Sequence, residues 1–110
     1  MSALSNVYTL DVEGTSFTYI RGLPRIEELA ANHCDCLEEI VDLPKVTRIN
    51  ARHCTKLRLL NSLPNLTYLD VSDCKSLLEI KGVPDTMQDM NLVGCSKLQQ
   101  TLRLNNDGTK

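Results

Sequence analysis

The chain has 110 residues, enough for one domain, and its 12 Lys and Arg stand against 14 Asp and Glu for a formal net charge of −2. That balance supplies no basic field for nucleic acid or an anionic lipid surface, and no apolar run approaches the length of a membrane span. With one Phe and no Trp, a core must come from Leu, Ile, Val, Met and Cys stacked in a regular way.

At the N-terminus, MSALSNVYTL has neither a charged leader region nor an apolar one, so no secretory signal is expected. From there the chain repeats. A first block, LSNVYTLDVEGTSFTYIRG, begins at Leu4 and runs over 4–22. Three blocks of 20 residues follow: LPRIEELAANHCDCLEEIVD (23–42), LPKVTRINARHCTKLRLLNS (43–62) and LPNLTYLDVSDCKSLLEIKG (63–82). A fifth, VPDTMQDMNLVGCSKLQQTL, begins at Val83 and closes the repeats at 102, leaving 103–110 as a tail. The first block is one residue short between Thr15 and Phe17, and the last is one long between Pro84 and Met87. The whole chain, 1–110, therefore reads as a single domain.

Aligned, the blocks give apolar columns. Val7, Ile26, Val46, Leu66 and Met87 form one; Leu10, Leu29, Ile49, Leu69 and Met90 the next; Val12, Ala31, Ala51, Val71 and Leu92 a third. Further on come Phe17, Leu37, Leu57, Leu77 and Leu98, then Ile20, Ile40, Leu60 and Ile80. A unit this short cannot bury its own apolar side chains, but a stack of units can. In each block a stretch such as Tyr68-Leu69-Asp70-Val71-Ser72 alternates with period two, which predicts a half-buried strand pairing in parallel with the next block. The chain should then turn at the Cys, cross the core with C-x-x-L-x-x-I, and return through a turn marked by Pro24, Pro44, Pro64 and Pro84. No room remains for a full helix, so extended or 3₁₀ segments are expected on the return side.

The columns in LTYLDVSDCKSL, L-x-x-L-x-V-x-x-C-x-x-L, resemble those of leucine-rich-repeat proteins over residues 4–102. The 20-residue period with its Leu-Pro turn is similar to the repeats of bacterial effectors; Cys at the turn is more like those of plant immune receptors. The resemblance implies a β-rich α/β solenoid, curved, with a parallel sheet on the concave face, that recognises a protein through that face. If the chain is an effector, the cytoplasmic location expected from its cysteines would be a host cytosol. A ligase domain of the kind some effectors carry has no sequence to form it.

Two His-Cys pairs 20 residues apart, His33-Cys34 and His53-Cys54, are the nearest approach to a zinc pattern. The repeat argues for another reading. Cys34, Cys54, Cys74 and Cys95 share one column, pointing into the turn as buried spacers that partner backbone amides weakly. His33, His53 and Asp73 precede them and should face outward. No metal and no cofactor are expected. Cys36 breaks the column and should be the accessible thiol. Five cysteines, an odd number, point to reduced thiols in the cytosol. No nucleophile, base and orienting acid converge, and no Gly-rich phosphate loop exists, so no catalytic residues are assigned.

The outward strand positions are where a partner should bind. One row reads Thr9, Glu28, Arg48, Tyr68, Asp89; the next Asp11, Ala30, Asn50, Asp70, Asn91; the third Glu13, Asn32, Arg52, Ser72, Val93. The expected contacts are Glu28, Asn32, Arg48, Asn50, Arg52, Tyr68, Asp70, Ser72, Asp89 and Asn91, with Tyr68 and Arg48 at the centre because those types dominate binding energy. The partner is expected to be a protein, not nucleic acid or membrane. The alternative is a structural subunit that self-assembles, since solenoid ends need polar caps and none is evident. The chain is accordingly expected to be a monomer or a weak homo-oligomer through its ends.

Overall fold

The computed structural model describes residues 8–98 except 86 and 88. The start of the first block with Leu4 and Val7, the end of the last block and the tail 103–110 lie outside the described residues. Nine strands of three residues are wound into a β-solenoid. Five form one parallel sheet: β1 (Thr9–Asp11), β3 (Glu28–Ala30), β5 (Arg48–Asn50), β7 (Tyr68–Asp70) and β9 (Asp89–Asn91), in that order. Four form a second parallel sheet: β2 (Tyr19–Arg21), β4 (Glu39–Val41), β6 (Leu59–Asn61) and β8 (Glu79–Lys81). Each of the first four coils gives one strand to each sheet, and β9 opens the fifth.

The register reproduces the alignment of the blocks. Leu10 faces Leu29, Leu29 faces Ile49, Ile49 faces Leu69, and Leu69 faces Met90. On the other sheet Ile20, Ile40, Leu60 and Ile80 stand side by side. The middle residue of every strand thus points inward, and its two neighbours point out. Ladder bonds continue past the strand ends, from Ala31 N to Asn50 O (2.7 Å), Ala51 N to Asp70 O (2.8 Å) and Val71 N to Asn91 O (3.1 Å). Between the sheets lies one aliphatic core, where Leu29, Leu37, Ile40, Leu43, Ile49, Leu57, Leu60, Leu63, Leu66, Leu69 and Leu77 are fully buried.

The return side is extended, as one of the two expected forms, and its segments go further and pair with one another. It is a sheet in which Glu39, Leu59 and Glu79 each pair in register with the strand of the coil before. The 3₁₀ component shrinks to single turns closed between residues three apart, as from Leu57 N to Cys54 O (3.1 Å) and from Val46 N to Leu43 O (3.3 Å). Helical backbone among the described residues is confined to 96–98. The architecture is therefore an all-β solenoid here, and the α/β expectation is corrected.

Two corners per coil are made by residues in left-handed backbone. One column holds Gly14, His33, His53, Asp73 and Gly94; the other holds Gly22, Asp42, Ser62 and Gly82, all with φ between 59° and 80°. Glycine stands at both ends of each column, and small or polar residues take the middle, where neighbouring coils hold them in place.

Phe17 departs from its column. Its mates Leu37, Leu57 and Leu77 are fully buried, but Phe17 is 53% exposed because no coil precedes it among the described residues. Met90, the last member of the innermost column, is 37% exposed for the mirror reason.

Candidate functional site

The structure brings the ten expected contact residues onto one face of the five-stranded sheet. Glu28, Arg48, Tyr68 and Asp89 are successive neighbours in register, as are Asn50, Asp70 and Asn91. Asn32, Arg52 and Ser72 stand two residues beyond their strands, before the left-handed corner.

Their roles are not equivalent. Asp70 is only 8% exposed, whereas the alternation predicts a solvent-facing side chain. Its Oδ1 accepts a hydrogen bond from the Ser72 amide at 3.1 Å, the local turn that Asp and Asn side chains favour. Asp11 does the same for the Glu13 amide and Asn91 for the Val93 amide, both at 3.1 Å. Three of the five members of this column thus build the bend at the strand end, while in the third coil the Arg52 amide goes to Asn32 instead. Recurring Asp or Asn two residues before a bend was the sequence signal for it. Asn32 is also engaged within the solenoid. Its Nδ2 donates to Glu13 Oε2 (2.9 Å), and its Oδ1 accepts from the Arg52 amide (2.8 Å), tying three coils together.

The first row takes no part in these bends and ties. The Arg48 guanidinium lies 4.2 Å from the centre of the Tyr68 ring, within cation–π range. Glu28 and Asp89 flank this pair in register and are exposed. Neither they nor Arg48 and Arg52 form an ion pair among the described residues. On the opposite sheet the charges neutralise one another. Arg58 Nη2 meets Glu39 Oε2 at 2.6 Å, with Glu38 and Arg21 completing the group, and Lys81 lies beside Glu79. The basic residues of the third block are thus split between the two faces, with Arg58 already matched.

Below this face, the cysteine column is buried as expected, but its partners are carbonyls. The thiols of Cys34, Cys54, Cys74 and Cys95 donate to Val12 O, Ala31 O, Ala51 O and Val71 O of the preceding coil, at 2.9–3.1 Å. A thiol must be protonated to do this. Burial pushes the Cys34 and Cys95 thiols up from the ordinary value, and interaction with Cys54 together with burial does so for Cys74. All five cysteines are free, and Cys36 is half-buried.

The His33 and His53 rings stack with centroids 4.9 Å apart, and His53 Nε2 lies 3.4 Å from Asp73 Oδ2. No group of three His, Cys, Asp or Glu among the described residues is arranged to hold a metal ion. Nor is any described helix long and apolar enough to cross a membrane. Comparison with protein-family models, curated proteins and solved structures finds no match to this chain.

Proposed function

We propose that this chain is a solenoid of the leucine-rich-repeat kind that binds a partner protein through the outward face of its five-stranded sheet, in a reducing, cytoplasmic compartment. The observation that carries the reading is the Arg48–Tyr68 stack, set between Glu28 and Asp89 in one row of unmatched charge. Arg and Tyr are the side chains most concentrated at binding hot spots. Backbone pairing on both sides of β5 and β7 fixes the row before a ligand arrives, so little ordering entropy is lost on binding. Charges alternate along the row instead of forming a basic stripe, which suits a protein surface better than a polyanion. The donor thiols of the cysteine column support a reducing environment, since oxidation would remove four buried hydrogen bonds.

The test compares two double variants in quantitative affinity capture. Tyr68→Ala with Arg48→Glu removes the stack and reverses its charge. Lys56→Glu with Lys81→Glu makes the same kind of change away from the five-stranded face. Proteins bound by the native chain should be lost from the first by roughly 30-fold or more, as for a hot spot of about 2 kcal/mol, and retained by the second. Retention by the first and loss from the second would move the working surface to the other face.

A further inference from the structure

One line of charge crosses the five-stranded face. Glu28, Arg48, Tyr68 and Asp89 are successive neighbours in register, so their side chains repeat about every 4.8 Å and the line is about 14 Å long. The rows beside its middle bring it little charge. Thr47 and Thr67 donate their hydroxyls to Glu27 O (3.3 Å) and Thr47 O (3.0 Å) of the preceding coil. On the other side Asn50 is neutral and Asp70 is buried against the Ser72 amide, while Arg52 stands two rows away. Glu27, which is exposed, adds charge of the same sign at the Glu28 end. The Arg48 guanidinium lies over the Tyr68 ring at 4.2 Å, and its N–H edges meet no carboxylate among the described residues. The order along the solenoid is therefore acid, cation, acid.

We propose that the partner lays an α-helix along this line, across the strands, with two cations roughly ten residues apart and one carboxylate between them. This rests on the protein-binding reading above and says what kind of surface the partner presents. The period of the coils selects the helix. Positions i, i+3, i+7 and i+10 of a helix face one side and lie at about 0, 4.5, 10.5 and 15 Å along its axis. The four coils from Glu28 to Asp89 lie at about 0, 4.8, 9.6 and 14.4 Å, so the two stay within about 1 Å of each other throughout. An extended peptide laid the same way repeats one face about every 6.7 Å and is about 4 Å out of step at Tyr68. Charge then selects the residues. Cations at i and i+10 meet Glu28 and Asp89. The carboxylate, at i+3 or i+7 according to the sense of the helix, meets the Arg48 guanidinium between the third and fourth coils and can accept two N–H groups from it. Reversing these signs brings like charges together, so the line excludes helices as well as selecting them.

Labelled peptides of about 18 residues in an alanine-rich helical background serve as probes. Two carry Lys at i and i+10 with Glu at i+3 in one and at i+7 in the other. A third reverses every charge, and a fourth is the tighter of the first two with proline at its centre. In fluorescence anisotropy with the native chain, one of the first two should bind roughly 10-fold or more tightly than the third and the fourth. Added salt should narrow its advantage over the third. Arg48→Glu should shift the preference to a probe with Lys in place of that Glu. Glu28→Lys should do the same for a probe with Glu at the facing end, which keeps the test independent of how one variant folds. Equal binding of the reversed probe, equal binding of the proline probe, or no binding of any probe up to millimolar concentration overturns the proposal. The protein-binding reading fails separately. If proteins captured by the native chain are lost from Tyr68→Ala with Arg48→Glu but no helical probe competes for them, the face binds proteins and the helix is wrong. If that variant retains them, both are wrong.

Discussion

Leu69 and Asp70 are adjacent in β7 and point to opposite sides of the sheet, yet both are buried. Leu69→Ala should destabilise by about 2–5 kcal/mol through lost burial and a cavity. Asp70→Ala should cost about 1–3 kcal/mol, since it leaves the Ser72 amide without its acceptor. Thermal unfolding of the two variants checks this, and an Asp70→Ala shift no larger than that of an exposed-site change would contradict the local turn. The strand register was legible in the sequence because a period of two separates Leu69 from Asp70. The burial of Asp70 was not, since alternation says which way a side chain points and nothing about what lies over it.

Two of the buried thiols, Cys34 and Cys95, tie stability to pH with one sign, while Cys54, pulled down by its hydrogen bond with Cys74, runs the other way. Cys34 and Cys95 keep their protons in the folded chain above the ordinary thiol value of 9.0, at which the unfolded chain releases them. Their contribution is complete below about pH 9 and is lost as pH rises toward the raised folded values. The part of the melting temperature that these two thiols supply should be lost as pH rises above about 9. Cys34→Ala with Cys95→Ala should flatten that fall while lowering stability at pH 7. An equal slope in native and variant chains would show that these thiols are not held protonated.

Among the elements, the corners separate what a repeat reveals from what it hides. The leucine columns announce strands, but the left-handed corners are announced only at their ends, by glycine. At His33, His53, Asp73, Asp42 and Ser62 the same backbone carries a side chain. Crowding along one column is also uneven. A Cβ added to Gly22 meets nothing within 4 Å, whereas one added to Gly82 would lie 2.6 Å from the Ser62 amide nitrogen and 2.9 Å from Asn61 Oδ1. Gly22→Ala should therefore cost about 1 kcal/mol from backbone conformation alone, and Gly82→Ala clearly more. Denaturant unfolding of the pair tests this, and equal losses would show that the coils separate to admit the methyl group. The second sheet escaped the sequence for a related reason. On the return side Tyr19, Glu39, Leu59 and Glu79 mix aromatic, acidic and aliphatic residues at one outward position, so no polar–apolar alternation marks the strands.

At the scale of the molecule, the outward face of the five-stranded sheet was readable as a set of rows because register follows from period. The division of labour within it was not. The sequence offers Asn32 and Asp70 as contacts on the same footing as Arg48, and only the hydrogen bonds show that the first two are occupied in holding the solenoid's own backbone. The shared register has a further consequence, for the length of the chain itself. Glu28 faces Arg48 and Arg48 faces Tyr68, each at one full period, so residues 43–62 can be excised and Asp42 joined to Leu63 with every column closing on its next member. Excising 43–61 or 43–63 instead leaves the joined coil one residue long or short, which its turn must absorb as the turns between Leu69 and Met90 and between Leu10 and Leu29 already do. The whole-period deletion should still fold, with a lower melting temperature from the shortened stack, and deletions one residue shorter or longer should melt lower still. Chain length in this fold thus changes with least loss in whole coils, and a single residue more or less is confined to a turn.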